Sequence, residues 1–401
     1  IRSNGNTEIL SEDRFSLTNG STTLTINGLG ANDVNSRLIT TLRKSNVKAK
    51  TKIRNISKDI IINKSRDAAS GIGSTTLDDG LVYGNYPYGT RVQDDQISLN
   101  TPDVYKIYGI FESEDTTDPV APNMTLGQLD GNSATTNDLI IGETLIGQTS
   151  GAKAIYLQKL DDTQIYFTYL NNSTFLNNEV IKFQTSSVNG VSSLVKLGSK
   201  DITTDFKFDD GQRSTIYDYS RIIRKAEVQV PAKKIRVYYA SAGYQNSDDG
   251  DITTINSYEG FDYGKELGEV DGSRVSDIID VRPRVIDYSI SEGANSPFEF
   301  SGRSFNDGQD GRLHSASHVI ASDESMTLDY TYFLGRVDRI FIDTEGRIGV
   351  SQGAAEDDPK MPPAVSNTMS IATIYLPPFL YNVSNAEVSF IEHKRYQMTD
   401  I

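Results

Sequence analysis

Apolar and polar residues alternate with period two along most of this 401-residue chain. In "DVYKIYGIFES" (103–113), Val104, Lys106 and Tyr108 fall on one side and Tyr105 and Ile107 on the other, the pattern of a half-buried strand. "STTLTING" (21–28) alternates and then turns at Asn-Gly. "AEVQVPAKKIRVYYAS" (226–241) predicts two strands around Pro231, and "GRVDRIFIDTEGRIGVSQG" (335–353) a hairpin over a Glu-Gly turn. "MSIATIYLPPFLYNVSNAEVSFIEH" (369–393) predicts two strands separated by Pro-Pro. Helical spacing is found at 32–45, where Asn32 or Asp33 would cap and Val34, Leu38 and Leu42 fall four apart. A short helix is expected there, with a buried strand as the competing reading, since Ile39, Thr40 and Thr41 are β-branched. The fold class expected is all-β: mainly antiparallel sandwich and barrel modules, a small inserted β-barrel domain and few short helices.

Such a fold has no disulfide staple available to it. Cysteine is absent, which excludes disulfides, zinc–thiolate sites and a cysteine nucleophile. Packing and backbone pairing must hold the chain. Tryptophan is absent too, while tyrosine numbers 21, giving apolar area with a hydroxyl that suits wet surfaces and interfaces. A net charge of −15 argues against a free nucleic acid partner, because phosphate binding needs a basic face. No run of eighteen apolar residues predicts a membrane span. The start, "IRSNGNTEIL", is too polar for a signal peptide, and both ends read as cut from a longer polypeptide.

Composition divides the chain. Residues 1–121 form an N-terminal β region. Residues 114–137, acidic and bearing Pro and Gly, read as a linker. Within 122–200 that linker leads into the small inserted barrel-like domain, whose strands occupy 138–200. Gly142-Glu143 and Asn178-Glu179 each precede an apolar pair there. The β body continues over 201–290, and 291–401 forms a C-terminal β region with further chain expected beyond it. No long internal repeat is evident.

Residues 43–66 carry nine basic residues and one acid. Lys48, Lys50, Lys52 and Arg54 alternate, so on a strand they share one face. They read either as a solvated edge whose charges block aggregation, or as an assembly strip that docks on the acidic surface of a neighbouring copy. Three histidines are present. His314 and His318 lie four apart, as a metal pair would, yet lack the metalloprotease Glu; His393 stands alone. Asn306, Asp307 and Asp310 could supply oxygen ligands but lack the calcium-loop spacing, so a polar loop is the default. No cofactor is assigned. "SGIGST" (70–75) is a flexible turn without a phosphate-loop Lys, and no Gly-x-Ser-x-Gly elbow occurs. Paired carboxylates are the catalytic option that composition leaves open.

Several phrases occur in order: "SGA" (150–152), "FKFDDGQRSTIYDYSRI" (206–222), "SDIIDVRPRV" (276–285), "LDYTYFLGRVDRIFIDTEGRIGVSQG" (328–353), "MSIATIYLPPFLYN" (369–382) and "HKRYQMTDI" (393–401). Together they resemble the large virion structural proteins of contractile-tailed phages, especially those of marine cyanobacteria. The likeness runs from about residue 100 onward. It implies a non-enzymatic module of a tail, baseplate or fibre attachment, localised to the virion. The implied partners are other copies of itself, a trimer among the options, and other tail or baseplate proteins. A host-surface glycan-binding or depolymerase tail module is the alternative. The family offers no catalytic residues to carry over, so 206–225 reads structurally. Phe206 and Phe208 enter a core, and Asp209, Asp210 and Gly211 make a turn. Tyr217, Asp218, Tyr219 and Arg221 form a hydrogen-bonded latch, with Arg213 or Arg221 paired to Asp218. Asp277, Asp280 and Arg282 tie a strand end, and Pro283 forces Arg282 extended.

Overall fold

The computed structural model describes the whole chain except residues 3–4, 19–22, 30–37, 42–44, 73–87, 131–134, 245–247, 249, 262–266, 290–294, 301–302, 304, 307–312, 315–325, 331–332, 379, 381–382 and 393–401. The described residues fall into two compact units, Ile1–Ala321 and Ser322–Ile401. Strands dominate both, and the helical pieces among the described residues are short 3-10 turns.

In the first unit β1 (Phe15–Thr18) and β2 (Thr23–Ile26) form a hairpin. Then come β3 (Lys52–Ile62), β4 (Gln96–Pro102) and β5 (Val104–Glu112). Six strands follow: β6 (Asn123–Leu129), β7 (Thr144–Gly147), β8 (Lys153–Lys159), β9 (Gln164–Tyr169), β10 (Val180–Phe183) and β11 (Asn189–Lys196). The body resumes with β12 (Lys200–Asp201), β13 (Phe206–Asp209), β14 (Tyr219–Arg224) and β15 (Ile235–Tyr244). Two-residue strands complete the unit: β16 (Glu269–Val270), β17 (Ser273–Arg274), β18 (Arg284–Val285), β19 (Phe305–Asn306) and β20 (Leu313–His314).

Two antiparallel sheets, ordered β12-β5-β15-β3 and β13-β14-β4, share one core. Ile62, Val104, Ile110, Ile235 and Val237 from the first sheet meet Ile97, Leu99, Phe206 and Ile222 from the second. β15 explains the arrangement. Its sequence "IRVYYASAGY" is apolar at successive positions and is buried on both faces, as a central strand requires. Val237 and Tyr239 face the sandwich core, whereas Tyr238 faces outward to Phe111, Leu157 and Tyr166. Through that second contact the barrel packs on the outside of the sheet. Phe208, expected in the core beside Phe206, is 39% exposed, because the short β13 is an edge strand and only its first phenylalanine is covered.

The barrel closes in the order β10-β11-β6-β9-β8-β7 and is filled by Met124, Leu126, Leu145, Ala154, Ile165, Phe167, Ile181 and Phe183. Its pairing exposes an internal repeat that the sequence does not announce. "GETLIGQTSGAKA" (142–154) and "NEVIKFQTSSVNG" (178–190) share a Glu and a Gln-Thr-Ser at matching places. Leu145 pairs with Phe183 while Ile181 pairs with Gly147, so β7 and β10 cross on a local two-fold axis. The β7–β8 register of Leu145 with Ala154 recurs as Ile181 with Gly190 in β10–β11. Left-handed backbone recurs as well, at Gly142 (φ 89°) and Asn178 (φ 64°), and at Gly151 (φ 66°) and Ser187 (φ 59°).

Each half supplies a carboxylate to the other half's turn. Glu143 accepts the amides of Thr185 and Ser186 at 3.0 and 2.9 Å and that of Ile140 at 2.7 Å. Glu179 accepts those of Thr149 and Ser150 at 3.1 and 3.0 Å and that of Leu176 at 2.5 Å. Both residues are buried. Burial alone would raise the Glu179 pKa; the amides of Ser150, Leu176 and Thr149 outweigh it and hold the carboxyl below its usual value.

Four expectations are corrected. The linker 114–137 supplies barrel strand β6, whose apolar Met124, Leu126 and, past a register shift, Leu129 enter the barrel core behind the acidic stretch. Of 226–241 only 235–241 is strand, lying in β15; Pro231 and Glu227 (φ 69°) keep the preceding residues out of the ladder. The boundary at 290 is not a division, because β18 pairs with β19 across it and the units part at 321. Residues 38–41 of the expected helix are not helical, and 32–37 and 42–44 lie outside the described residues.

The second unit is one antiparallel sheet in the order β22-β21-β23-β24, with β21 (Arg336–Ile342), β22 (Ile348–Ser351), β23 (Met369–Leu376) and β24 (Glu387–Phe390). The expected hairpin is β21–β22, turning at Gly346 (φ 80°).

Glu143→Gln and Glu179→Gln should each destabilise the first unit by about 1–3 kcal/mol, since amides in a buried turn lose their charged acceptor. Chemical unfolding followed by tyrosine fluorescence measures this, and parent-like unfolding of both variants would reject the cross-brace. Because the folded Glu179 value is depressed, its contribution is complete above the ordinary value of 4.5 and is lost as pH falls through the folded value.

Candidate functional site

Lys52 opens β3 with its side chain fully buried. β3 and β5 flank β15, about 10 Å apart at two strand spacings, a gap that the Lys52 and Asp103 side chains close between them. Lys52 stands opposite Tyr244 on β15. On the other side Asp103, in the corner between β4 and β5, accepts the Ala242 amide of β15 at 2.8 Å through its carbonyl. The Lys52 Nζ donates to Asp103 Oδ2 at 2.6 Å. Asp103 has φ 60°, a left-handed conformation that aspartate tolerates better than most residues. Gln212 Nε2 donates to its other carboxylate oxygen at 3.0 Å. The rings of Tyr217, Tyr258 and Tyr244 centre 4.3, 4.8 and 5.6 Å from Nζ, so aromatic faces take the place of water around the ammonium.

A second ion pair lies beside the first. Arg282 grips Asp280 by Nη2 to Oδ2 at 2.6 Å and Nε to Oδ1 at 2.9 Å. The Tyr217 hydroxyl also donates to Asp280. The Arg282 guanidinium sits 4.3 Å from the Tyr217 ring and donates to the Arg213 carbonyl at 2.6 Å and to Gln212 Oε1 at 3.0 Å. Gln212 thus joins both pairs, and Tyr217 lies against both cations. Burial pushes the Lys52 ammonium down, partly countered by Asp103. Burial also pushes the phenols of Tyr217, Tyr244 and Tyr258 up, which keeps them as neutral donors. At Asp280 burial acts upward, but the Arg282 contacts prevail and hold the carboxyl low.

The stretch 206–225 positions this centre as a hairpin. Gly211 and Asp218 are linked by a 2.9 Å backbone bond, Gln212 bridges Tyr217, and Arg213 donates to the Ile216 carbonyl at 3.1 Å. Gly211 has φ 79°, and a Cβ there would fall 2.3 Å from the Asp218 carbonyl oxygen, so no other residue fits. Tyr217 donates to the Pro283 carbonyl at 3.0 Å and accepts from Val285, which docks the hairpin on the extended Arg282-Pro283 segment.

The latch residues are all engaged, and for Arg213, Arg221 and Asp218 the partners differ from those expected. Arg213 and Arg221 both bind Asp209, at 2.7 Å each, and not Asp218. Asp218 instead receives a two-pronged grip from Arg303 at 2.7 and 2.7 Å. The physical reason is the hairpin twist: Arg221 pairs in register with Asp209, whereas Asp218 points toward the segment after residue 290. The lysine strip is corrected more strongly. Lys48 and Arg54 are exposed and Lys50 is half-buried, but Lys52 is inside, because its face of β3 is covered by the tyrosines. Asp103, Gln212, Tyr244, Tyr258 and Arg303 carried no local signal; each becomes significant only beside residues distant in sequence.

Chemically this centre is a clamp that excludes water and joins segments near residues 52, 103, 212 and 280. Among the described residues no group of three or more His, Asp or Glu side chains is placed to hold a metal ion. The loop at Asp307 and Asp310, with His318 and His393, lies outside the described residues; in the β19–β20 ladder Asn306 pairs with Leu313 and His314 with Phe305. No described helix is long and apolar enough to cross a membrane.

Arg303→Ala should cost about 3–5 kcal/mol, because it strands the half-buried Asp218. Arg221→Ala should cost only about 1–2 kcal/mol, since Arg213 still holds Asp209. Thermal unfolding of both variants measures the difference, and equal losses would contradict this pairing. Burial works against the Asp209 charge, but Arg213 and Arg221 hold its pKa down at about 2. That stabilisation, about 2 kcal/mol, is complete above 3.8 and should be lost as pH falls toward 2.

Residues 298–401 match a family described as a domain of unknown function (DUF4815). No curated protein and no solved structure matches the chain.

Proposed function

We propose that the chain is a non-enzymatic structural module of a phage virion, in its tail or baseplate, acting through contacts with neighbouring copies and other virion proteins. The observation that supports this reading most is an apolar sheet face in the second unit. Val350, Ile340, Ala372 and Phe390 stand opposite one another in register across all four strands. Ile348 opposite Ile342, and Ile374 opposite Val388, extend the same face. Directly paired residues share a face, so these side chains form an apolar cluster on one face, which also carries the buried Asp338 opposite Ile374. Of the eight apolar residues only Ala372 is buried, while Ile348 is 73%, Val350 55%, Val388 50% and Phe390 76% exposed. A surface of that kind marks an interaction site. The ordered phrases shared with tail proteins of contractile phages point to the assembly in which it would be used. The first unit ties distant segments together through buried and half-buried ion pairs, Lys52 with Asp103, Arg282 with Asp280 and Arg303 with Asp218, an arrangement compatible with a structural role.

Val350→Asp with Phe390→Asp should leave unfolding nearly unchanged, within about 0.5 kcal/mol per site, while abolishing self-association in sedimentation. Lys48→Glu with Arg54→Glu should weaken association at low salt alone, where screening is least. Parent-like assembly of the Asp variant would overturn the interface. Bacterial envelope polysaccharide incubated with the chain should release no reducing ends; release that vanished on replacing one pair of acids would make it a depolymerase.

A further inference from the structure

We propose that Lys52 and Asp103 condense to an amide, so that the folded chain carries a covalent cross-link between β3 and the β4–β5 corner. The reacting groups are already in contact: Nζ lies 2.6 Å from Oδ2, with side chains 0% and 8% exposed. Neither is free to move away. Lys52 is fixed in the β3–β15 ladder, and Asp103 is held at φ 60° with its carbonyl bonded to Ala242. The three tyrosine rings keep bulk water from the pair. Gln212 Nε2 donates to Oδ1 at 3.0 Å, where negative charge grows when the carboxyl carbon is attacked. The second acid, Asp280, does not compete for the lysine, being taken by Arg282 and the Tyr217 hydroxyl.

The step balances within the pair. Lys52 passes a proton to Asp103, giving a neutral amine and a carboxylic acid. The amine lone pair forms a bond to Cγ, Oδ1 takes the developing charge against Gln212, and the Cγ–Oδ2 bond breaks. Oδ2 leaves as water with the carboxyl proton and one amine proton. Nothing is oxidised or reduced, and no further reactant enters. Burial favours the exchange twice. It lowers the lysine pKa, making the nucleophilic amine accessible. It also makes two charges costly to hold in a dry interior, whereas an amide is neutral. This inference is independent of the virion reading, and in a chain without cysteine it supplies the covalent tie that disulfides cannot.

Intact-mass measurement of the purified full chain under denaturing conditions tests it. The expected mass is that of the sequence less one water, and proteolysis should yield a branched peptide joining Lys52 to Asp103. Lys52→Arg should restore the full sequence mass, because a guanidinium does not attack. Asp103→Asn should close by losing ammonia and reach the same mass as the cross-linked parent, an outcome an ion pair does not produce. Gln212→Ala should slow closure on the order of a hundredfold, as loss of one oxyanion donor does. A parent chain at full sequence mass with linear peptides alone would overturn the proposal, whether or not the variants fold.

Discussion

Lys52 ends where water does not reach, and Asp103 is what makes that position tolerable. A lone ammonium in such a place would be expelled or neutralised. Here it is met by a carboxylate at 2.6 Å and by three aromatic faces. The demands of that contact propagate outward. Asp103 must adopt a left-handed corner, Gln212 must be carried in by a hairpin, and the hairpin must turn at a glycine that no side chain can replace. Tyr217 at the end of that hairpin brings in Asp280 and Arg282. Removing any one of these groups leaves another buried and uncompensated, so the cluster works as a unit and ties together segments drawn from most of the first unit.

The barrel solves a similar problem with neutral partners. Its two buried glutamates have no cation beside them among their hydrogen-bond partners; backbone amides and serine hydroxyls supply the compensation. Each half of the repeat braces the other, so neither half's turn is complete alone. The exchange explains why so few residues can close a barrel: the glutamates satisfy amides that a six-strand ladder with short turns would leave exposed to an apolar interior. The same barrel leans on the sandwich through Tyr166, Leu157 and Tyr238, which makes it an integral part of the first unit's packing.

The second unit contrasts with both. It is a single sheet, and one sheet has two faces to cover. Phe341 over Gly349 lies on one side, where a Cβ at 349 would meet the ring at 2.5 Å. The opposite side presents isoleucine, valine and phenylalanine to solvent. That exposed apolar face is the observation on which the proposed assembly role rests.

The all-β class, most strand positions and the existence of a small barrel were legible in the amino-acid order, because period-two alternation and turn residues are local properties. That order also singled out Arg213, Tyr217, Asp218, Arg221, Asp280 and Arg282 as engaged groups, since charges clustered around a tight turn seldom stay idle. Tertiary structure alone decided who pairs with whom. Arg303 reaches Asp218 from a segment beyond β18, and Asp209 draws two arginines that the sequence had assigned elsewhere. The lysine strip shows the reason most plainly. Lys48, Lys50, Lys52 and Arg54 look alike in sequence, yet Lys52 is carried fully inside, against Asp103 and three tyrosines from segments far along the chain, while Lys48 and Arg54 stay exposed. Alternation fixes which residues share a face; whether that face meets water or a partner is set by long-range packing.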